Sequence, residues 1–203
     1  YIPAGDAYTR TLADKAEAYY AADASLGSAA KTEAVYRTLF GESEELDGAL
    51  LFDAGPHTPD CLALCGVDAS RITDVLFTHL HSDHYNKDSL AAIAAAGKRT
   101  LRVWFREDGT VPLLPNTELR PMKIGETYDV SGYTVTALEA NHDYFPLHYS
   151  VEKDGCRLFY GLDGAWLPYH TYYAMREKRY DVMILDCTVG DYEGDFRLCE
   201  HNS

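Results

Sequence analysis

Apolar and polar positions follow two different patterns along the chain. In the first half, the strand-like segments are nearly continuous apolar runs: GALLFDAGP (48–56), ITDVLFTHL (72–80) and RTLRVWF (99–105). Such runs are typical of strands that are buried on both faces, as in a parallel sheet. The spacing between these runs leaves room for a helix after each of the first two strands, which is the arrangement of an α/β protein.

Helical patterns occupy the spaces between these strands. The segment NKDSLAAIAAAGK (86–98) predicts a helix that begins near Asn86 and ends at Gly97. A short helix is predicted from about Thr58, with a proline in its first turn. Residues 9–22 also read as a helix, whereas the segment before residue 45 carries no functional motif.

Beyond residue 115 the pattern changes to short alternating segments. ELRPMKI, ETYDV and GYTVTALEA are typical of an antiparallel sheet. The two alternating runs of HYSVEKDGCRLFYGLD meet at Asp154-Gly155, which predicts a β-hairpin. A helix around 169–178 then leads to YDVMILDCT (180–188), which we expect to be another buried strand.

Composition and charge narrow the classes of function. Of 203 residues, 46% are hydrophobic and 25% charged, and the net charge of −14 argues against a nucleic-acid-binding surface. We expect no membrane span, because an apolar run of about 18 residues is missing, and no signal peptide. Five cysteines without paired short spacing indicate reduced thiols, with Cys61 and Cys65 buried on one helix face. We therefore expect a cytoplasmic protein.

The densest chemistry lies in the segment THLHSDHYN (78–86). It places three of the eight histidines and one aspartate within six positions: His79, His81, Asp83 and His84. The segment follows a buried strand and precedes a helix, where α/β proteins place their sites. Imidazoles together with a carboxylate suit zinc, manganese or iron better than calcium or magnesium. The segment therefore predicts a metal site, with room for two ions.

The string His79-Leu-His81-Ser-Asp83-His84 resembles the His-x-His-x-Asp-His signature of the metallo-β-lactamase-fold hydrolases. GALLFDAGP resembles the strand of that family that ends in Asp-x-Gly, and EANH and FYGLDGAW resemble strands that deliver two further ligands. The resemblance implies an α/β fold, the αββα sandwich, with two mixed sheets flanked by helices. It begins at about Leu50, so we expect a single domain over residues 1–203 that lacks the first strand and the last strand and helix.

The resemblance also implies two divalent metal ions, zinc or manganese, with iron less favoured. The resemblance implies that His79, His81 and His142 bind one ion. Asp83 and His84 would bind the other ion, and Asp163 would bridge the two. A further histidine ligand is expected beyond residue 203. Asp53 and Asp186 end buried strands, and they look like groups that orient histidine ligands.

Within the superfamily, the last 24 residues, from Tyr180 onward, resemble a region of phosphoribosyl cyclic phosphodiesterases and tRNA 3′-end nucleases that carries a non-ligand histidine, here His201. The resemblance implies that a metal-bridging hydroxide hydrolyses a small phosphodiester of the cyclic-phosphate type. Asp83 would orient the hydroxide or take its proton, and His201 would be the general acid. The expected partner is a small-molecule substrate, not nucleic acid or a membrane, and a homodimer stays open.

Two other functions could use the same residues. A dinuclear hydrolase could act on a lactone, a thioester or a carboxylic ester, and an iron-dependent oxidoreductase could share the fold. The intact set of His79, His81, Asp83 and His84 favours a hydrolase, because the di-iron redox relatives replace the second histidine with a carboxylate.

Overall fold

The computed structural model describes residues 49–188 and residue 201. The helix predicted over 9–22 and Cys199 lie outside these residues. The described strands are β1 (Ala49–Phe52), β2 (Ile72–Leu76), β3 (Leu101–Arg106), β4 (Thr117–Met122), β5 (Thr127–Val130), β6 (Tyr133–Glu139), β7 (Leu147–Lys153), β8 (Cys156–Gly161) and β9 (Val182–Leu185). The described helices are α1 (Thr58–Leu64), α2 (Lys87–Ala96) and α3 (Tyr169–Met175), with a 3₁₀ turn over Ala69–Arg71.

The strands form two sheets that pack face to face. The first sheet has the order β1-β2-β3-β4, and its pairings are all parallel within the described residues. The second has the order β5-β6-β7-β8-β9 and is antiparallel except for the parallel pair β8 and β9. Leu76 and Trp104 of the first sheet share one buried cluster with Val135 and Tyr149 of the second.

Helices cover the outer faces of both sheets. Leu90 and Ile93 of α2 pack with Val75 of the first sheet, and α1 adds Leu62 to the same cluster. On the other side, Met175 of α3 packs against the second sheet. The layers are therefore α, β, β and α, which confirms the predicted sandwich. No helix in the described part of the chain has the length and apolar character that crossing a bilayer requires.

Two local predictions are confirmed in detail. The side chain of Asn86 accepts hydrogen bonds from the backbone N–H groups of Asp88 and Ser89, so it caps the start of α2. Asp154 and Gly155 both have positive φ angles, of 49° and 78°, and they join β7 to β8 in a tight hairpin turn.

The prediction that ELRPMKI belongs to the antiparallel sheet is wrong. Most of this segment forms β4, which pairs in parallel with β3. Pro121 offers no N–H to a further strand, and β4 is the last strand of its sheet among those described. Partly buried and exposed residues alternate from Thr117 to Arg120, so the segment reads like an antiparallel strand with one covered face.

Two predictions of burial are also wrong. In β9, Val182 and Ile184 pack on the core, but Met183 and Leu185 are exposed, so the strand is not buried on both faces. Cys65, at the end of α1, is exposed, whereas Cys61 is half-buried. The cysteines at described positions are free thiols.

A buried aspartate joins the two sheets. Asp74 on β2 has no exposed surface. Its carboxylate accepts hydrogen bonds from the Arg102 guanidinium and the Trp104 indole on β3, each at 2.7 Å. The hydroxyl of Ser131, in the turn between β5 and β6 of the second sheet, also donates to it at 2.7 Å. Because a buried carboxylate is costly unless it is fully hydrogen-bonded, this network fixes how the sheets pack.

We expect Asp74→Ala to lower the free energy of unfolding by about 3 kcal/mol, because it leaves buried donors without an acceptor. Urea denaturation measures this loss. The matched control is Asp108→Ala, whose ion pair with Arg106 lies at the surface and should contribute less than about 1 kcal/mol. Equal losses for the two variants would contradict a structural role for the network.

Candidate metal centre

The candidate site lies where strands of both sheets end. Asp53 follows β1, and the segment 78–84 follows β2. In the second sheet, β7 runs antiparallel to both β6 and β8, so β6, β8 and β9 all point the same way. The residues that follow these three strands, His142, Asp163 and Asp186, are therefore brought to one edge. This edge is where α/β proteins commonly bind ligands.

The histidine loop is held tightly against the end of β1. The backbone N–H of Ala54 donates to His84 O at 2.8 Å, and the N–H of Asn86 donates back to Ala54 O at 2.8 Å. Gly55 lies so close to the loop that a Cβ atom there would be 1.8 Å from Asp83 O. The glycine of the Asp-x-Gly segment is therefore required by this close approach.

Five histidines and one aspartate come together at this edge of the sheets. His142 Nε2 lies 3.1 Å from His81 Nδ1, and Asp163 Oδ2 lies 3.5 Å from His79 Nε2 and 3.0 Å from His84 Nε2. Three overlapping groups each bring ligand atoms within 4.8 Å of one another. The groups are His79, His81 and His142; His79, His84 and Asp163; and His142, Asp163 and His201.

The donor atoms fit a divalent cation. The Nε2 atom of His79 is buried and has no hydrogen-bond partner among the described residues. Burial, together with the nearby His84 and His142, lowers the pKa of His79 to about 3, so the ring is neutral. Because the Thr78 hydroxyl donates to Asp53, it can accept from Nδ1–H of His79 at 3.1 Å, which leaves the lone pair on Nε2. A buried lone pair among other ligand atoms is satisfied by a metal ion, and the imidazole–carboxylate set suits zinc or manganese.

His84 lies between two carboxylates. Its Nδ1 is 2.8 Å from Asp53 Oδ2, and its Nε2 is 3.0 Å from Asp163 Oδ2. Burial lowers the pKa of His84, but the hydrogen bonds to Asp163 and Asp53 outweigh burial and raise it to about 10. Burial raises the pKa of Asp163, but His84 and His79 outweigh that effect and lower it to about 2. Asp53 therefore orients His84, as the sequence predicted.

Sequence reasoning missed Thr78, which completes this arrangement. Its backbone N–H and its hydroxyl donate to the two oxygens of Asp53, at 2.7 Å and 2.8 Å. The sequence feature that could have identified Thr78 is its position: it is a polar residue at the end of an apolar strand, immediately before the first histidine. Such a residue is buried only when it has partners, and Thr78 is fully buried.

Asp83 is not brought into the groups of ligand atoms. Its side chain is 75% exposed, and its carboxylate lies 3.8 Å from His84 Nε2. Its roles as a ligand and as the residue that orients the nucleophile stay predictions.

His201 lies beside the cluster and is held by Asp186. Its Nδ1 is 2.7 Å from Asp186 Oδ2, and its ring centroid is 4.9 Å from that of His142. Asp186 also accepts a hydrogen bond from the backbone N–H of Gly164, the residue after Asp163, at 3.1 Å. Burial raises the pKa of Asp186, but its hydrogen bonds outweigh burial and hold that pKa below its usual value.

A further histidine, His148, lies beneath the loop that carries Asp163. It is buried, and neither ring nitrogen has a hydrogen-bond partner among the described residues. A Cβ atom at Gly164 would lie 2.6 Å from its Nε2, so the loop can pass over the ring only with glycine there. Burial lowers the pKa of His148 to about 4. His148 therefore supports the loop as a neutral ring.

The described part of the chain is thus a two-sheet α/β sandwich with a histidine–aspartate cluster at its strand ends. A family model described as a beta-lactamase superfamily domain matches residues 49–197. The chain belongs to this superfamily of the metallo-β-lactamase fold.

Similar proteins agree with this assignment. Ribonuclease Z from Methanothermobacter thermautotrophicus is 26% identical over an alignment of 117 residues, and the match covers 51% of this chain but only 38% of that relative. The structure of human tRNase Z, short form, has a TM-score of 0.59 and 20% identity, and the match covers 77% of this chain and 74% of that chain. YhfI from Bacillus subtilis has a TM-score of 0.58 and 16% identity, over 70% and 61% of the two chains. At these identities the structural likeness shows the fold alone.

His148 should make stability depend on pH. Its pKa is about 6.5 in the unfolded chain and about 4 in the folded one, so below pH 6.5 only the unfolded chain takes up the proton. The free energy of unfolding should therefore fall by up to about 3 kcal/mol as the pH drops from 6.5 to 4. Chemical denaturation in chelator at several pH values measures this slope.

The slope should become shallower in His148→Gln, whose side chain does not titrate. His170→Gln is the matched control, because His170 is exposed on α3 and should keep the wild-type slope. A wild-type slope in His148→Gln would mean that the buried ring takes up its proton without unfolding.

Proposed function

We propose that this protein is a metal-dependent hydrolase of a small phosphodiester, of the cyclic-phosphate type. The observation that carries the proposal is the His201–Asp186 pair beside the cluster of metal-ligand atoms. An alkoxide that leaves a phosphodiester is a poor leaving group and needs a proton. A histidine held by a carboxylate next to the reacting centre can supply one.

Two groups of residues would hold the ions. His79, His81 and His142 would bind one ion, and His84, Asp163 and Asp83 would bind the other. Ions bound there would supply a nucleophile from water at neutral pH and offset negative charge on the phosphoryl oxygens. His84 must release its proton before its Nε2 can act as a ligand, so metal uptake should be coupled to proton loss.

Residues around the proposed ligands would orient the histidine rings and transfer a proton. Asp53 and Thr78 fix the His84 ring so that Nε2 faces Asp163. Asp186 engages Nδ1 of His201, which leaves Nε2 as the nitrogen that can donate to a leaving oxygen. The same contact holds the ring in one orientation.

The choice of a phosphodiester is supported by the curated relative, whose name denotes a ribonuclease, although the match spans 38% of that protein. The net charge of −14 disfavours a long polyanionic substrate such as tRNA. A small-molecule substrate is therefore the better expectation. A homodimer and a cytoplasmic location stay predictions.

We expect close to two divalent ions per chain by elemental analysis of the purified protein. Chelator should lower the melting temperature, because bound ions stabilise the folded state by mass action. Asp163→Ala should lose bound metal, whereas His57→Ala, which removes an exposed histidine, should keep it. Folded protein with metal at background level would contradict the proposal, and iron with a redox-active visible spectrum would favour an oxidoreductase instead.

His201→Ala should distinguish the phosphodiesterase from other hydrolases. On an alkyl or cyclic phosphodiester we expect a rate loss on the order of 10²–10⁴, the usual contribution of a general acid. On a bis-nitrophenyl phosphodiester, whose leaving group hardly needs a proton, the loss should be far smaller, with metal content unchanged. His79→Ala should reduce the rate of hydrolysis of both substrates to the same extent.

Equal rate losses on the two substrates in His201→Ala would contradict its role as the general acid. Turnover of a lactone but of no phosphodiester would contradict the substrate class.

A further inference from the structure

Exposed aromatic side chains concentrate beside the candidate metal centre. In the described part of the chain, every large aromatic side chain that is exposed falls between residues 144 and 173: Tyr144, Phe145, Trp166, Tyr169, Tyr172 and Tyr173. They lie on the loop that follows His142, on the loop that follows Asp163, and on α3. Aromatic rings are usually well buried, so such a concentration marks a surface that binds something.

Tyr144 is held over the histidine loop by an unusual backbone. Tyr144 and Phe145 are consecutive residues with φ angles of 56° and 62°, which non-glycine residues rarely adopt. The carbonyl of Tyr144 accepts a hydrogen bond from Leu80 N–H at 3.1 Å, which fixes this turn. The Tyr144 ring contacts that of His81, with centroids 4.3 Å apart, and 59% of the residue stays exposed. Strain of this kind persists where function needs it.

Trp166 lies on the adjoining loop. The N–H of Ala165, the preceding residue, donates to the carbonyl of Asn141 at 3.1 Å, so the loops that carry Asp163 and His142 are joined there. Trp166 is 82% exposed. Tyr173 on α3 differs, because the Arg176 guanidinium already covers its ring at 3.8 Å. Tyr144, Phe145 and Trp166 all lie within three positions of a candidate ligand, and of these Tyr144 and Trp166 expose the larger fraction of their surface.

We infer that Tyr144 and Trp166 form a stacking platform for a nucleobase, so that the phosphodiester cleaved here is part of a nucleotide. This inference rests on the proposed function and names the substrate class. Every nucleobase has a flat face that stacks on aromatic side chains. The strongly acidic chain repels extended polyanions but not a neutral ring, which favours a mononucleotide or a very short oligonucleotide. A sugar phosphate without a base would leave the exposed faces of both rings uncovered.

The first test compares two diesters with the same leaving group, thymidine p-nitrophenyl phosphate and methyl p-nitrophenyl phosphate. The wild-type protein should favour the thymidine ester in kcat/KM by about 5- to 150-fold, the contribution of one stacked base. Tyr144→Ala and Trp166→Ala should each reduce this ratio several-fold, and Tyr144→Phe should keep it. Tyr173→Ala is the matched control and should not change the ratio. A wild-type ratio near one would overturn the inference.

The second test measures binding without turnover. Adenosine monophosphate should bind to the metal-loaded protein at least about 5-fold more tightly than ribose phosphate does. It should also quench the fluorescence of Trp166, the exposed one of the two tryptophans, and the Trp166→Phe variant should lose this quenching. Equal affinity for the two ligands would overturn the inference.

The two tests separate the inference from the proposed function. If neither diester is hydrolysed but adenosine monophosphate still binds more tightly, the proposed phosphodiesterase fails and the stacking platform stands. If both diesters are hydrolysed equally and the two ligands bind equally, the platform fails and the phosphodiesterase stands. A dimer that dissociates in Trp166→Ala, with no preference for the base, would assign this face to a second copy of the chain.

Discussion

The hydrogen bond between Asp53 and His84 is the interaction on which the site depends. Asp53 ends β1, and its two oxygens are already engaged by the N–H and hydroxyl of Thr78. Thr78 therefore fixes the orientation of the carboxylate. The hydrogen bond from the carboxylate to Nδ1 of His84 in turn determines that Nε2 faces Asp163. A histidine free to rotate could present either nitrogen, so this bond converts a cluster of histidines into an ordered set of ligands.

The sequence was informative where chemistry is concentrated within a short segment. Three histidines and an aspartate in six positions identify the loop after β2 without any knowledge of the fold. His142 and Asp163 are single residues after ordinary strands, and only the resemblance to a family selected them. The structure brings both to the loop, because β7 reverses the chain between β6 and β8 and lets those two strands end at the same edge.

What the sequence could not show depends on contacts between distant segments. The pattern of β4 is that of a half-covered strand, and it does not reveal which sheet provides the cover. Thr78, Gly55 and His148 each matter through a neighbour that is distant in sequence: Asp53, Asp83 and Gly164, respectively. No local periodicity marks such residues. Asp186 was expected to orient a histidine, but its partner, His201, is identified only by their contact.

Asp186 has a consequence beyond orienting one ring. It contacts both the backbone N–H of Gly164, next to the aspartate that faces His79 and His84, and the Nδ1 atom of His201. The loop that carries Asp163 and the ring of His201 therefore share one support. A shift of that loop would move His201 with it, so under the proposed function the metal ligands and the general acid would take up their positions together.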